Sequence, residues 1–144
     1  MKKLSLISAL VGCLALGSTI AQATCFSEAA ARYRVSERLL RAIQATENPA
    51  GRVDAISPPN SDGSRDLGLM QINDSWLPKL SKFGIGEKEL LNGCVSVNVG
   101  AWILASNVAT YGHTWKAVGA YNSPKIGSQR EYITKVMKNY GSQL

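Results

Sequence analysis

Apolar residues recur at helical spacing over most of the chain after residue 23. In a helix predicted over Ser36–Glu47, Leu40, Ile43 and Glu47 fall at positions i, i+3 and i+7, which places the glutamate on the apolar face. Asn48 precedes a proline, and the residue before a proline is disfavoured in helical conformation. We therefore expect the helix to end there, with Glu47 in its last turn at the rim of the core.

The pattern changes between Gly51 and Asn73, where prolines and turn residues interrupt it. Asp62-Gly63 is typical of a hairpin turn, so we predict a small antiparallel sheet from Arg52–Ser57 and Ser64–Gln71. Helical periodicity covers most of the remaining chain, broken at glycines. The further predicted helices are Ser27–Arg34, Asp74–Lys82, Gly86–Leu91, Cys94–Thr110, Thr114–Asn122 and Ser128–Tyr140. This order indicates an α+β domain, mostly helical, with a cleft where helices meet the sheet.

The first residues have the pattern of an export signal. A basic start is followed by the apolar run Leu4–Leu16 and by the site Ala21-Gln22-Ala23. We predict that residues 1–23 are a cleavable signal peptide, that 24–144 form one domain, and that the mature protein is periplasmic. A lipoprotein-like box ending at Cys13 is an alternative. The apolar run is too short for a membrane span, and we expect no later stretch to be long enough.

Charge and cysteine use narrow the class of protein. The formal net charge of +6 becomes +4 once the two lysines of the predicted signal peptide are removed. Such a charge suits an acidic polymer, a nucleic acid or an anionic lipid, but the export signal and the lack of a basic–aromatic motif argue against nucleic acid. In an exported chain, Cys25 and Cys94 predict one disulfide. Two cysteines and one histidine argue against a zinc site, and we expect no metal or organic cofactor and a monomer.

Glu47 is the candidate proton donor. Burial disfavours a carboxylate, so the pKa of this group is expected to rise. A neutral glutamic acid near pH 7 can protonate the bridging oxygen of a glycoside. The alternative is a helix-terminal glutamate that pairs with Arg41 or Arg52.

The polar segment that follows supplies candidate binding groups. The side-chain amides of Gln71 and Asn73 can bond sugar hydroxyls and acetamido groups, and Met70 offers an adaptable apolar contact. Asp66 lies on the predicted strand that leaves the turn. We expect it to face the cleft opposite Glu47.

Three of these motifs together resemble a known family. Glu47, Gly68-Leu69-Met70-Gln71 and Ala120-Tyr121-Asn122 resemble, in order, the signatures of the soluble lytic transglycosylases, over about Cys25–Met137. The chain is most similar to the small exported members that accompany type III and type IV secretion, pilus and conjugation systems. The resemblance implies a lysozyme-like fold in which a small antiparallel hairpin flanks the active-site cleft. It also implies cleavage of the β-1,4 bond between N-acetylmuramic acid and N-acetylglucosamine in peptidoglycan, with a 1,6-anhydro product.

The resemblance also implies roles for single residues. Glu47 would act as acid and then as base, while Tyr121 would hydrogen-bond and orient it. Tyr132 is a further candidate for substrate binding; the alternative is that it is an aromatic residue of the core. The residues implied to contact substrate are Met70, Gln71 and Asn122. Many members carry serine at the position of Asn48, whose amide can also bond substrate.

Two other functions remain open at this point. The segment Asn60–Asn73 also resembles animal lysozymes, in which the aspartate at the position of Asp66 is the second catalytic carboxylate. A hydrolytic muramidase that uses Glu47 and Asp66 is therefore one alternative. A peptidoglycan-binding assembly factor without catalysis is the other, because Asn48 departs from the family pattern. In each case the expected partners are glycan strands and components of a secretion, pilus or conjugation machine.

Overall fold

The computed structural model describes residues 25–123 and 125–142. The chain is mostly helical with one two-stranded antiparallel sheet, as predicted. Helix α1 covers residues 25–33. The other helices are α2 Glu37–Glu47, α3 Leu77–Leu80, α4 Glu87–Leu90, α5 Gly93–Tyr111, α6 Trp115–Asn122 and α7 Ile126–Gly141. Short 3-10 turns at Asp74–Trp76 and Ser81–Phe83 flank α3.

Helix α2 ends as its sequence predicts. The hydroxyl of Ser36 accepts a hydrogen bond from the backbone N–H of Leu39 and caps the start of the helix. Glu47 is the last residue of α2, and the N–H of Asn48 closes the final turn on the carbonyl of Gln44. The apolar face of the helix is buried, and α2 packs against α7. The candidate acid therefore stands where a buried helix meets the edge of the core.

The sheet is much shorter than predicted. Strand β1 (Asp66–Leu67) pairs with β2 (Ile72–Asn73), and the earlier segment contributes only a single bridge from Ile56 to Leu67. The reason is a second chain reversal inside the segment predicted to be one strand. Gly68 and Gln71 both have positive φ, +73° and +49°, so residues 68–71 form the turn of the hairpin.

Helix α5 is the centre of the core. Its buried positions are Ser96, Val97, Val99, Gly100, Ala101, Ile103 and Leu104. By length and composition alone it could cross a membrane, so the expectation that no segment after residue 23 is long enough was wrong. In the structure α4, α6 and β2 pack on this helix, which explains its apolar sequence.

The predicted disulfide is present and joins the first helix to the central one. Cys25 in α1 is bonded to Cys94 in α5, 69 positions away. In the chain-entropy description, a loop of this size stabilises the folded state by roughly 4 kcal/mol. The predicted signal peptide and the lipoprotein-like box at Cys13 lie outside the described residues.

Candidate active site

A polar cleft of about 740 Å³ contains the candidate acid. It is lined by residues from two stretches of chain, one from Asn60 to Trp76 and one from Ala120 to Ser128, together with Glu47 and Ile103. The first stretch carries the hairpin and the second joins α6 to α7. The cleft thus lies where the helices meet the sheet, as the sequence predicts.

The surroundings of Glu47 favour the protonated form of its carboxyl group. Burial raises the pKa of its carboxyl group from an ordinary 4.5 to about 7. The hydroxyl of Tyr132 donates a 2.6 Å hydrogen bond to Oε1 and lowers the pKa in part, while the nearby charge of Asp66 raises it further. The sequence left open a pairing of Glu47 with Arg41 or Arg52; in the described part of the chain Arg41 pairs with Glu37 and Arg52 with Asp54. Glu47 therefore has a proton to give near neutral pH.

The tyrosine that holds Glu47 is not the one expected. Tyr132 of α7 makes that hydrogen bond, whereas the hydroxyl of Tyr121 donates to the carbonyl of Met70 at 3.2 Å. The packing of α7 on α2 places Tyr132 beside the acid, and Gly100 leaves room for the Tyr121 hydroxyl above α5. Tyr121 still lines the cleft. Loss of solvent around its phenol raises its pKa, and the charges of Glu47 and Asp66 raise it further.

Asp66 is fixed by amides from two directions. Its Oδ1 accepts a 3.0 Å hydrogen bond from the side chain of Asn73, and its Oδ2 accepts one of 3.2 Å from Asn60. Its backbone N–H donates to the hydroxyl of Ser57. The predicted second carboxylate therefore lines the same cleft as Glu47 in a set orientation.

Gln71, Asn73 and Asn122 line the cleft as predicted. The amide nitrogen of Gln71 donates to the carbonyl of Gly68 at 2.9 Å, so the turn itself positions this side chain. Asn122 is exposed at the end of α6. These three residues offer amide groups to a ligand along the cleft.

Asn48 and Met70 are turned into the protein instead. The side chain of Asn48 is 7% exposed, and its amide nitrogen donates to the carbonyls of Arg52 and Leu69. Met70 is fully buried and packs against Gly100. Neither side chain lines the cleft, so the structure gives no support to their predicted substrate contacts; Asn48 instead contacts the backbone of the hairpin segment, and Met70 packs on α5.

Trp76 is a lining residue that the sequence did not single out. It lies half-buried in the cleft, and its ring contacts Trp102 edge to face with centroids 5.5 Å apart. Trp102 itself lines a separate, mostly apolar cavity of about 450 Å³. Proximity to the cleft, which depends on the fold, is what separates Trp76 from the other tryptophans.

A glutamic acid with a raised pKa, in a polar cleft between helices and a small hairpin, is the arrangement of a lysozyme-like enzyme. The family model of the transglycosylase SLT domain matches residues 24–141, and the chain belongs to this family of lytic transglycosylases. The invasion protein IagB of Salmonella typhimurium (strain SL1344) is 45% identical over 130 residues, 87% of this chain and 80% of that protein.

Two further relatives are similar over most of their length. Protein IpgF of Shigella flexneri is 36% identical over 126 residues, 84% of this chain and 82% of its own. A peptidoglycan-binding-like protein of Escherichia coli O157:H7 is 36% identical over 130 residues, 85% of this chain and 77% of its own. The prediction of a lytic transglycosylase from the motifs is thereby confirmed at the level of the family.

Proposed function

We propose that this protein cleaves the β-1,4 bond between N-acetylmuramic acid and N-acetylglucosamine in peptidoglycan and releases a 1,6-anhydro product. The observation that carries the proposal is the half-buried Glu47, with a pKa of about 7, in a cleft lined with amide and hydroxyl side chains. Family membership supports peptidoglycan as the substrate. One carboxyl group that is half protonated near neutral pH can both give and take back a proton.

The reaction begins with proton donation. Glu47 protonates the bridging oxygen, the bond from that oxygen to C1 of the muramic sugar breaks, and the acetylglucosamine end leaves as an alcohol. The N-acetyl group of the muramic sugar stabilises the positive charge at C1. The hydroxyl of Tyr132, already donating to Oε1, stabilises the Glu47 carboxylate that is formed.

The second step restores the acid. The Glu47 carboxylate accepts the proton of the C6 hydroxyl as that oxygen attacks C1 and closes the anhydro ring. No water is consumed, and Glu47 ends neutral, as it began. Gln71, Asn73 and Asn122 provide hydrogen-bonding groups for the sugars, and Trp76 provides an aromatic face.

A hydrolytic muramidase is the second candidate, and Asp66 is the observation that favours it. This carboxylate lines the cleft and acts electrostatically on Glu47. In hydrolysis it would stabilise or attack C1, and water would replace the C6 hydroxyl. In a hydrolytic muramidase, Asp66→Asn should then abolish cleavage. A transglycosylase with the same substitution should keep most of its activity, because the muramic N-acetyl group stabilises the charge at C1 in place of Asp66.

Product analysis tests the proposal directly. Purified residues 24–144 are incubated with peptidoglycan sacculi, and the soluble fragments are weighed by mass spectrometry. Muramic ends that lack one water relative to the reducing sugar support transglycosylation. Reducing muramic ends would establish hydrolysis, and sacculi left intact by wild-type protein but cleaved by a control muramidase would overturn both.

We also propose that the protein is exported by its signal peptide and opens the wall locally for a secretion, pilus or conjugation apparatus. The disulfide supports an oxidising compartment, and one relative is named an invasion protein. In a chain tagged at its C-terminus, the periplasmic form should begin at Thr24. A product that keeps residues 1–23, or one that begins at a lipidated Cys13, would contradict the signal-peptide cleavage.

A further inference from the structure

Lys125 is the positively charged side chain in the cleft. Among the described residues that line it, Glu47, Asp62 and Asp66 are acidic and only Lys125 is basic. Lys125 directly precedes α7, and it is exposed. Within the described part of the chain, no ion pair involves it. A flexible ammonium group is thus available beside the substrate path.

The backbone that carries this side chain is held in place. The N–H of Lys125 donates to the hydroxyl of Ser123 at 3.1 Å, and its carbonyl accepts from the N–H of Ser128 at 3.1 Å. Gln129, which is buried, donates its amide to the carbonyl of Ser123 at 2.9 Å. The base of the side chain is therefore fixed at the cleft, while its end is free to reach a ligand.

The charge of Lys125 already acts across part of the cleft. The pKa of Asp62 is lowered, first by hydrogen bonds from the side chain and backbone of Ser64 and to a smaller extent by Lys125. Asp62 and Lys125 belong to the two stretches that line the cleft. Lys125 therefore attracts a carboxylate in the cleft without forming an ion pair with Asp62.

Hydroxyl and acetamido groups of the glycan are neutral and need no cation, since amides and hydroxyls satisfy them. The anionic groups of peptidoglycan are the carboxylates of the stem peptides, which hang from the lactyl group of each muramic sugar. Asp62 and Asp66 would repel such a group, and an ammonium ion would attract it.

We propose that Lys125 binds a stem-peptide carboxylate and makes the cleft prefer peptide-bearing strands over strands without charged stems. The inference rests on the proposed function and adds a residue that determines specificity. It predicts that the preference depends on the charge at position 125 and weakens as salt is added.

Binding to an uncleaved fragment tests the inference apart from the chemistry. The Glu47→Gln protein is titrated with a peptidoglycan tetrasaccharide that carries free stem carboxylates, and with the same fragment after conversion of its carboxylates to methylamides. We expect the charged fragment to bind about fivefold more tightly, the scale of one exposed ion pair. Adding Lys125→Ala should remove the difference, whereas Lys125→Arg should keep most of it.

Lys138→Ala is the matched control, because Lys138 lies in the last turn of α7 and does not line the cleft. It makes the same change in net charge and should leave the ratio of the two affinities unchanged. The role of Lys125 would be overturned if Lys125→Ala left the ratio of the two affinities as it is in the parent protein. It would also be overturned if Lys138→Ala reduced that ratio as much as Lys125→Ala does. Failure to bind either fragment would overturn the role of Lys125, and the cleavage of sacculi by wild-type protein then shows whether the proposed function fails as well.

Discussion

The hydroxyl of Tyr132 and Oε1 of Glu47 lie 2.6 Å apart although the two residues are 85 positions apart in sequence. The bond connects α7 to the end of α2, and these two helices pack against each other. In this bond the phenol hydroxyl is the donor and the Glu47 oxygen is the acceptor. Such a donor stabilises the ionised carboxylate more than the protonated acid. Tyr132 therefore limits the rise that burial causes and keeps the pKa of Glu47 near 7.

Tyr132→Phe should shift the pH dependence of cleavage. Without the hydroxyl, the Glu47 carboxylate loses a stabilising hydrogen bond, so its pKa should rise by about one unit and kcat should fall at least about tenfold. The alkaline limb of kcat/KM, followed from pH 5 to 9, would move to higher pH. Tyr121→Phe is the control, because that hydroxyl donates to Met70. An equal shift in both variants would contradict a specific role for Tyr132.

Glu47→Gln should stabilise the fold at alkaline pH. The pKa of Glu47 is higher in the folded state than in the unfolded state. Between about pH 4.5 and 7, Glu47 is therefore protonated in the folded protein and ionised in the unfolded chain. Wild-type stability should therefore fall as pH rises through that window, while the amide stays neutral.

At pH 8 the variant should be more stable than wild type by on the order of 3 kcal/mol, and at pH 4 the difference should largely vanish. Denaturant unfolding at both pH values measures this. Glu131→Gln is the control: Glu131 is on the surface, Lys135 lowers its pKa, and no such gain is expected. A gain that does not depend on pH would mean that Glu47 does not titrate as proposed.

Asn48→Ala should affect stability far more than substrate binding. The side chain joins the end of α2 to the carbonyls of Arg52 and Leu69, and its loss leaves buried groups without partners. We expect a loss of about 1–3 kcal/mol in the free energy of unfolding with KM nearly unchanged. A raised KM with normal stability would restore Asn48 as a substrate contact.

Gly68→Ala should be strongly destabilising. Gly68 has φ of +73°, and an added Cβ would overlap the carbonyl oxygen of Leu90. Gly63 also has positive φ, +84°, but nothing lies within 4 Å of its added Cβ. Gly63→Ala should therefore cost only about 1 kcal/mol of backbone strain, and Gly68→Ala several times more. Equal losses in thermal unfolding would show that the contact with Leu90 is relieved at little cost.

Local sequence signals were enough for most of the helices and for Glu47. The prediction of one helix over Asp74–Lys82 was wrong, because a four-residue helix, Leu77–Leu80, lies there between two 3-10 turns. The period of the apolar residues, the Ser36 cap and the proline after Asn48 all act within one or two turns, so α2 and its terminal acid were predicted closely. The sheet was overestimated because Gln71 adopts positive φ, which its residue type does not signal.

The partners within the site depend on contacts between distant parts of the chain. Tyr121 and Tyr132 are both aromatic residues on helices near the cleft, and only the packing of α7 on α2 decides which one reaches Glu47. The burial of Asn48 likewise follows from its contact with Leu69, 21 positions away. No local pattern carries that information.

The central claim is that the pKa of Glu47 lies near 7. The most direct test is to follow the chemical shift of the Glu47 carboxyl carbon against pH by nuclear magnetic resonance, with Glu47→Gln used to assign the signal. A midpoint near pH 7 is the result that the buried, Tyr132-bonded carboxyl predicts. A midpoint near 4.5, the ordinary value for glutamate, would mean that Glu47 is ionised at neutral pH and has no proton to donate.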